Sequence, residues 1–298
     1  MRRRPTVLLL GLAVLGMTLE LALPRQAASQ TVSAAAAHLP QTIRDRGELR
    51  IGTAPTYPPL ESRDPATNTL QGLDIDLGNA IATRLGLKPV WMDQSFQQLI
   101  PSLDTGRIDI GASGMTDIPA RREKTDFVDY FATGVQLFTL APAPPDLQKV
   151  EDVCGRKVAV NRNGIFFVRM QEFSEQICVA KGRKPVDLVL TDLTSDGRRQ
   201  MAEGRAVAAA QGVDAIRYLN ETADSPERGK YALIGAPISV DLAGFGVAKS
   251  QPALRDVIAS VVQEMIADGS YDTIFRKWAL PYTEVKQVTI NAGGAGTP

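Results

Sequence analysis

Two hydrophobic periods take turns along this chain. Leu49 to Thr53 is a short apolar run that predicts a strand, ending in a turn rich in proline (Pro55, Pro58, Pro59). From Asp74 to Leu85 the apolar positions Ile75, Leu77, Ala80, Ile81 and Leu85 make one helical face, and Gly86 stands where helices usually stop. Pro89 to Met92 predicts a strand, Phe96 to Leu103 a helix and Ile108 to Ala112 a strand. A proline-rich stretch, Ala141 to Pro145, punctuates the pattern, which then restarts. Strands are expected at Lys157 to Val160, Val186 to Thr191, Ala206 to Ala210, Tyr231 to Ile234 and Ala243 to Ala248. Helices are expected at Phe166 to Ala180, Ser195 to Glu203, Val213 to Leu219, Pro252 to Ala267 and Tyr271 to Trp278. Strands alternating with helices imply α/β architecture with mainly parallel sheets flanked by helices. No solenoid-like repeat is present; one α/β unit is followed by another.

The N-terminus changes the picture. Arg2, Arg3 and Arg4 precede an apolar run from Val7 to Leu15, and small residues follow (Ala27, Ala28, Ser29, then Ala34 to Ala37). This reads as an export signal, with a run too short for the about 20 apolar residues of a membrane span. No cysteine lies near the cleavage zone, so a lipid anchor is not supported. Residues 1–38 are therefore set aside as signal peptide and disordered leader. They include His38, the single histidine. The mature protein is then expected to have none, which argues against histidine catalysis and histidine-rich metal sites. About 260 residues remain, enough for two modest domains or one large one. Formal net charge is zero and no basic stripe points to nucleic acid. The two cysteines, Cys154 and Cys178, are a disulfide candidate in an exported chain. A loop of about 24 residues closed by that bridge would add roughly 3 kcal/mol of stability. Their spacing fits no metal site.

The candidate chemistry lies in Gly111-Ala-Ser-Gly-Met-Thr-Asp-Ile-Pro-Ala-Arg121. Small residues let backbone N–H groups approach a ligand, Ser113 and Thr116 can donate, and Arg121 offers a planar fork suited to a carboxylate. Taken alone, the stretch reads equally well as a strand-to-helix loop with a solvated arginine.

An ordered set of short motifs settles the comparison. These are Leu49-Arg-Ile-Gly-Thr-Ala-Pro-Thr-Tyr-Pro-Pro-Leu60, Gly72-Leu-Asp-Ile-Asp-Leu77, Phe96-Gln-Gln-Leu-Ile-Pro-Ser-Leu103, Gly106-Arg-Ile-Asp109 and Met115 to Arg121. Gly244-Phe-Gly-Val247, Asp268-Gly-Ser-Tyr-Asp-Thr-Ile274 and Lys277-Trp278 follow. In this order and spacing, over about residues 43–281, the chain resembles the extracytoplasmic amino-acid-binding proteins of ABC importers, similar to the lysine/arginine/ornithine and glutamine binders of family 3.

The resemblance implies a two-lobed periplasmic-binding-protein fold of type II, with two mixed, mainly parallel sheets joined by a two-crossing hinge. Lobe one would be 43–133 plus 238–282, lobe two 134–237, and 283–298 a flexible tail. It further implies a monomer that captures an amino acid or related small carboxylate in the interlobe cleft and docks on an inner-membrane permease. No cofactor, metal or nucleic-acid partner and no catalytic residue is expected. Tyr57 and Phe96 match aromatics that sandwich the ligand. Ser113, Gly114 and Thr116 match its contact loop, with the Gly114 N–H as a donor, and Arg121 matches the carboxylate partner. Asp74 and Asp76 read as structural charges at a helix start.

Lobe two departs from the family pattern. The usual small-hydroxyl loop is Asn161-Arg-Asn-Gly164 here, followed by Ile165 and Phe166. A helix N-terminus there can still offer N–H groups to a carboxylate. The aspartate that usually meets the ligand's α-ammonium aligns with Gly212. Either Asp214 takes that role or the ligand lacks such an ammonium, and Asp214 reads equally as a first-turn acid. Ala54 stands where basic-amino-acid binders often carry an acid, which disfavours lysine or arginine. Two other functions stay open: an enzyme similar to cyclohexadienyl dehydratase in the same cleft, or a ligand-sensing domain. The enzyme would need a buried acid with a raised pKa, and no first-lobe pocket residue named above supplies one.

Overall fold

Two separate sets of strands organise the chain, and each set buries its own apolar core. The computed structural model describes residues 32–293 apart from positions 163 and 224, so the expected signal segment before residue 32 lies outside the described residues. The first lobe opens with α1 (Gln41–Arg46) and β1 (Glu48–Thr53), then a small hairpin of β2 (Ser62–Arg63) and β3 (Leu70–Gln71). It continues through α2 (Leu73–Arg84), β4 (Lys88–Asp93), α3 (Leu99–Asp104), β5 (Ile110–Gly111), the short α4 (Pro119–Arg122) and β6 (Thr125–Thr133). The second lobe runs from β7 (Val135–Leu140) through β8 (Lys157–Asn161), α5 (Ile165–Phe173), β9 (Asp187–Thr191), α6 (Thr194–Ala202), β10 (Ala208–Gly212) and α7 (Val213–Glu221) to β11 (Tyr231–Ile234). The chain then returns to the first lobe as β12 (Asp241–Ala248), α8 (Pro252–Ala267), α9 (Ser270–Lys277) and β13 (Glu284–Ile290).

The first sheet has the order β13-β6-β12-β5-β1-β4 and the second β11-β7-β10-β8-β9. In the first, β1 pairs parallel with β4 and β5, while β12 runs antiparallel to β5 and β6. In the second, β8 pairs parallel with β9 and β10, while β7 runs antiparallel to β10 and β11. Both sheets are thus mixed, with the antiparallel strands on the side where the chain crosses between lobes.

Both crossings are short and pressed together. Gly134 separates β6 from β7, and a Cβ at that position would lie 2.1 Å from the carbonyl oxygen of Ser239 on the returning crossing. No larger residue could hold this approach. Ile238 donates to the Val135 carbonyl at 2.7 Å, and the Ser239 hydroxyl accepts from the Val135 N–H at 3.0 Å. The large buried aromatics Tyr130, Phe131, Phe245, Tyr271 and Phe275 fill the first lobe's core, which β6, β12, α8 and α9 share. Cys154 and Cys178 form a disulfide, tying the turn at Val150–Val153 to the π-helical end of the run that α5 begins.

Two boundaries differ from the sequence reading. The ordered body starts before residue 38. Ala34–His38 is a 3-10 turn capped by the Ser33 hydroxyl, and Ala35 and Leu39 are buried in the first lobe's core. His38 therefore sits within the folded body, exposed at the end of that turn. The segment expected to be a flexible tail from 283 instead contributes β13, antiparallel to β6 at the sheet edge. A register shift between Glu284 and Thr289 breaks the alternation of Val285, Val288 and Ile290, which hid this strand from a period-two reading. Residues 294–298 of the expected tail lie outside the described residues.

Candidate functional site

The C-terminal ends of six parallel-paired strands converge on one cavity of about 290 Å³ between the lobes. This is where α/β sheets place ligands: the loop leaving each strand is free of the ladder, and the following helix presents its N-terminus. The first lobe contributes the loops after β1, β4 and β5, and the second those after β8, β9 and β10. All eleven residues expected to bind ligand line this cavity: Tyr57, Phe96, Ser113, Gly114, Thr116, Arg121, Asn161, Gly164, Ile165, Phe166 and Asp214.

Arg121 follows Pro119 in α4, whose rigid start suits the first helical turn. Its guanidinium lies 5.0 Å from the centre of the Phe96 ring, and Nη1 donates to the Thr116 carbonyl at 2.9 Å. No carboxylate among the described residues forms an ion pair with it. Burial pushes its pKa down to about 10, and the charge of Asp117 opposes that fall. A desolvated arginine with half its fork unpaired suits a bound carboxylate, which would also relieve the cost of desolvation.

The loop after β5 is more committed than its sequence suggests. The Ser113 hydroxyl donates to Glu61 Oε1 at 2.9 Å and accepts from the Ala54 N–H at 3.1 Å. The Gly114 N–H, expected to serve the ligand, instead donates to Asp74 Oδ2 at 2.8 Å. Gly114 has a φ of 51°, and a Cβ there would press on Leu60 at 2.8 Å. Thr116 keeps its hydroxyl without a partner among the described residues, so Thr116 and Arg121 are the polar groups of this loop still open to a ligand.

Beneath the loop sits a buried carboxyl pair that the sequence reading missed. Asp74 accepts from Gly114 and from the Tyr130 hydroxyl, consistent with its expected structural role. Burial raises its pKa from 3.8 to about 6. Glu61 lies against it and is pushed far above the usual range, first by burial and then by the charge of Asp74. Glu61 Oε2 is buried without a hydrogen-bond partner among the described residues. Glu61, which was not among the first-lobe pocket residues named from sequence, lines the cavity and is an acid of raised pKa.

In the second lobe Gly212 is closely surrounded. A Cβ there would stand 2.2 Å from the Tyr57 hydroxyl oxygen and 2.6 Å from Asp214 Oδ1. Tyr57 from the first lobe and Asp214 from the first turn of α7 thus occupy the space that a side chain at 212 would enter. Asp214 accepts from the Thr133 hydroxyl, while its Oδ2 is buried without a hydrogen-bond partner. Burial raises its pKa, and the Thr133 bond counteracts that. Tyr57 faces Phe166 across the cleft, with ring centres 6.2 Å apart. Gly164 caps α5 without a side-chain bond, leaving the N–H groups of Ile165 and Phe166 at the cavity wall. Asn161 turns its amide to the Asp192 carbonyl at 2.8 Å.

Gln94, Thr133, Asp192, Thr194 and Asp241 also line the cavity and were not singled out from sequence. Gln94, Asp192 and Thr194 had a readable signal, since each lies just after a predicted parallel strand. Asp241 did not: it is held by Arg169 at 2.6 Å and by the Ser239 hydroxyl at 2.6 Å, contacts that only the folded crossing creates. Among the described residues no helix is long and apolar enough to cross a membrane, and no acid, histidine or cysteine group could hold a metal ion.

Comparison with known proteins agrees with this geometry. A family model for bacterial extracellular solute-binding proteins, family 3, matches residues 49–281. The arginine-binding protein ArgT of Corynebacterium glutamicum is 28% identical over 255 residues, covering 86% of this chain and 82% of ArgT. The lysine/arginine/ornithine-binding periplasmic protein of Escherichia coli is 28% identical over 258 residues, covering 83% of this chain and 91% of that protein. The crystal structure of an ancestral amino acid-binding protein, a precursor of cyclohexadienyl dehydratase, superposes with a TM-score of 0.68 at 26% identity, covering 80% of this chain and 97% of that one.

Proposed function

The chain belongs to the bacterial extracellular solute-binding proteins of family 3, and from that premise we propose that it captures an amino acid in the interlobe cleft and delivers it to an ABC importer. The observation that carries this reading is the pairing of opposite charges across the cavity. Arg121 presents an unpaired guanidinium from the first lobe, and Asp214 presents an unpartnered carboxylate oxygen from the second. An α-amino acid offers the complementary pair.

In this reading Arg121, Thr116 and the N-terminus of α5 hold the α-carboxylate. Asp214 meets the α-ammonium in place of the aspartate that relatives carry at the position of Gly212. Ala54, Phe96, Phe131, Ile165, Phe166 and Leu193 wall the remaining space, favouring an uncharged or apolar ligand side chain. The named relatives bind arginine, lysine or ornithine. This chain lacks an acid at 54, and its other cavity acids are engaged: Asp241 with Arg169, Asp192 with Arg162, Glu61 with Asp74. The relatives' names place them as binding proteins, and we read this chain as an exported binder without turnover.

Thermal unfolding across the standard L-amino acids, their α-keto acids and their α-amides tests the proposal. A true ligand at about 100 times its dissociation constant adds about 2.7 kcal/mol, a shift of several degrees in midpoint. Arg121→Ala should abolish the shift. An unchanged shift in that variant would remove Arg121 from the site.

A second reading rests on Glu61. A carboxyl of raised pKa in the cavity wall is the group a cleft enzyme would need, and the chain shares its fold with a precursor of cyclohexadienyl dehydratase. Its Oε1, however, is taken up by the Ser113 hydroxyl. Conversion of a bound candidate substrate, followed by NMR, would favour this reading over binding alone.

A further inference from the structure

Residues 289–293 do more than extend the first sheet. Past β13, the chain folds against the loop that carries Arg121 and makes a dense set of bonds there. The Gly293 N–H donates to Asp117 Oδ2 at 2.6 Å, and the Ala292 N–H donates to Asp129 Oδ2 at 3.0 Å. Arg122 returns the contact: Nη1 donates to the Asn291 carbonyl at 2.7 Å and Nη2 to the Gly293 carbonyl at 2.9 Å. Arg122 Nε also lies 3.2 Å from Asp117 Oδ1, with the Asp117 side chain fully buried. The Asn291 side chain anchors the segment from the other side, accepting from the Phe127 N–H at 2.8 Å and donating to Asp126 at 3.0 Å.

The bonds to Asp117 and Arg122 fall on the immediate neighbours of cavity residues, while those to Asp126, Phe127 and Asp129 anchor the segment to β6. Asp117 follows Thr116, Arg122 follows Arg121, and the two are paired to each other through the C-terminal segment. Helix α4 has only four residues and no side-chain cap, so it has little stability of its own. We propose that residues 289–293, acting through Asp117 and Arg122, are the positioning element that sets Arg121 in the cleft. This rests on the reading of Arg121 as the carboxylate partner. A guanidinium displaced by about 1 Å loses much of the value of a bidentate contact, so a strap outside the cavity controls what happens inside it. The charge of Asp117 also opposes the fall of the Arg121 pKa caused by burial.

Gly293 gives a sharp handle. A Cβ there would stand 2.0 Å from the Asp117 carbonyl oxygen, so Gly293→Ala must push the segment off the loop while changing nothing in the cavity. Amide hydrogen exchange is measured on the full, unliganded chain for the parent, Gly293→Ala and Arg122→Gln. Exchange across residues 116–123 is expected to speed up about tenfold in both variants, the effect of losing one or two net hydrogen bonds, with strand β8 unchanged. Unchanged protection across 116–123 would overturn the proposal. Titration of the same proteins with each standard L-amino acid and its α-amide adds a readout that loss of stability alone would not move. Both variants should lose preference for the acid over the amide, and Arg122→Lys should restore part of it. Variants that loosen the loop yet keep the full acid preference would also overturn it. Faster exchange together with a parent that binds no amino acid would sink the amino-acid reading and leave the positioning role intact.

Discussion

Gly212 and Asp214 show how a single residue's size redistributes a site's chemistry. A side chain at 212 would collide with the Tyr57 hydroxyl, so the bare backbone there and the inward packing of Tyr57 belong together. Asp214, two residues on, sets a carboxyl beside them from the first turn of α7. Asp214→Asn keeps the contact with Thr133 but removes the charge. Affinity for α-amino acids should then fall by roughly 2–5 kcal/mol, the usual cost of losing one partner of a buried charge pair. Affinity for the corresponding keto acids should hardly change, and isothermal titration of both ligand types separates the cases; equal losses would show that Asp214 serves packing instead. Glu61 and Asp74 carry a pH signature of their own. Burial raises Asp74 from 3.8 to about 6 and raises Glu61 as well, so the folded chain holds these protons more tightly than the unfolded chain does. The Asp74 contribution to stability is complete below about pH 4 and is lost as pH rises through about 6, and the Glu61 contribution is likewise lost as pH rises through its own raised pKa. Glu61→Gln keeps an acceptor for Ser113 and removes the titrating group beside Asp74. Urea denaturation between pH 4 and pH 7 should therefore show a shallower decline in stability for this variant than for the parent, and parallel profiles would dismiss the raised pKa of Glu61.

At the scale of elements, local pattern succeeded where one face of an element is buried. The strand Tyr231–Ile234 and the helix Pro252–Ala267 fall where periodicity placed them. The strands β6 and β7 were invisible to that logic. Thr125 to Phe131 is buried throughout, Asp126 and Asp129 included, so there is no polar face to read. What holds those two acids inside is the chain far ahead: Asn291, Ala292, Thr289, Lys249 and Arg255. The same distance in sequence hid β13. The candidate site was legible to the extent that it follows the strand ends, since a loop after a parallel strand is marked by Gly, Ser, Thr and Asn in the sequence itself. Residue types were legible too, but not their allegiance. Ser113 and Gly114 look like donors to a ligand until Glu61, before β2, and Asp74, in the first turn of α2, are seen to take those bonds.

At the scale of the whole molecule the site exists only where both lobes meet, so its strength depends on what favours their approach. Tyr57 reaches from the first lobe to Phe166 and to the space above Gly212. A second bridge lies farther out. Tyr282, in the turn before β13, places its ring 5.3 Å from the Arg217 guanidinium and its hydroxyl 3.5 Å from the Asp214 carbonyl, both on α7. A ligand shifts the hinge only by its differential affinity for the closed state, and contacts made between protein groups in that state lower what the ligand must supply. Tyr282 does not line the cavity, yet its ring lies over the helix that carries Asp214. Removing it should leave the cavity's chemistry intact and make closure less favourable by about 0.5–1 kcal/mol, the worth of a partly exposed cation–π contact. Tyr282→Ala is therefore expected to weaken ligand binding about two- to fivefold. The change should appear in the dissociation rate, because encounter with the open cleft does not involve Tyr282. Stopped-flow measurement of both rate constants decides this. A loss confined to the association rate, or none, would mean that the bridge persists in the open state and that closure is governed by Tyr57 and the crossings at Gly134 alone.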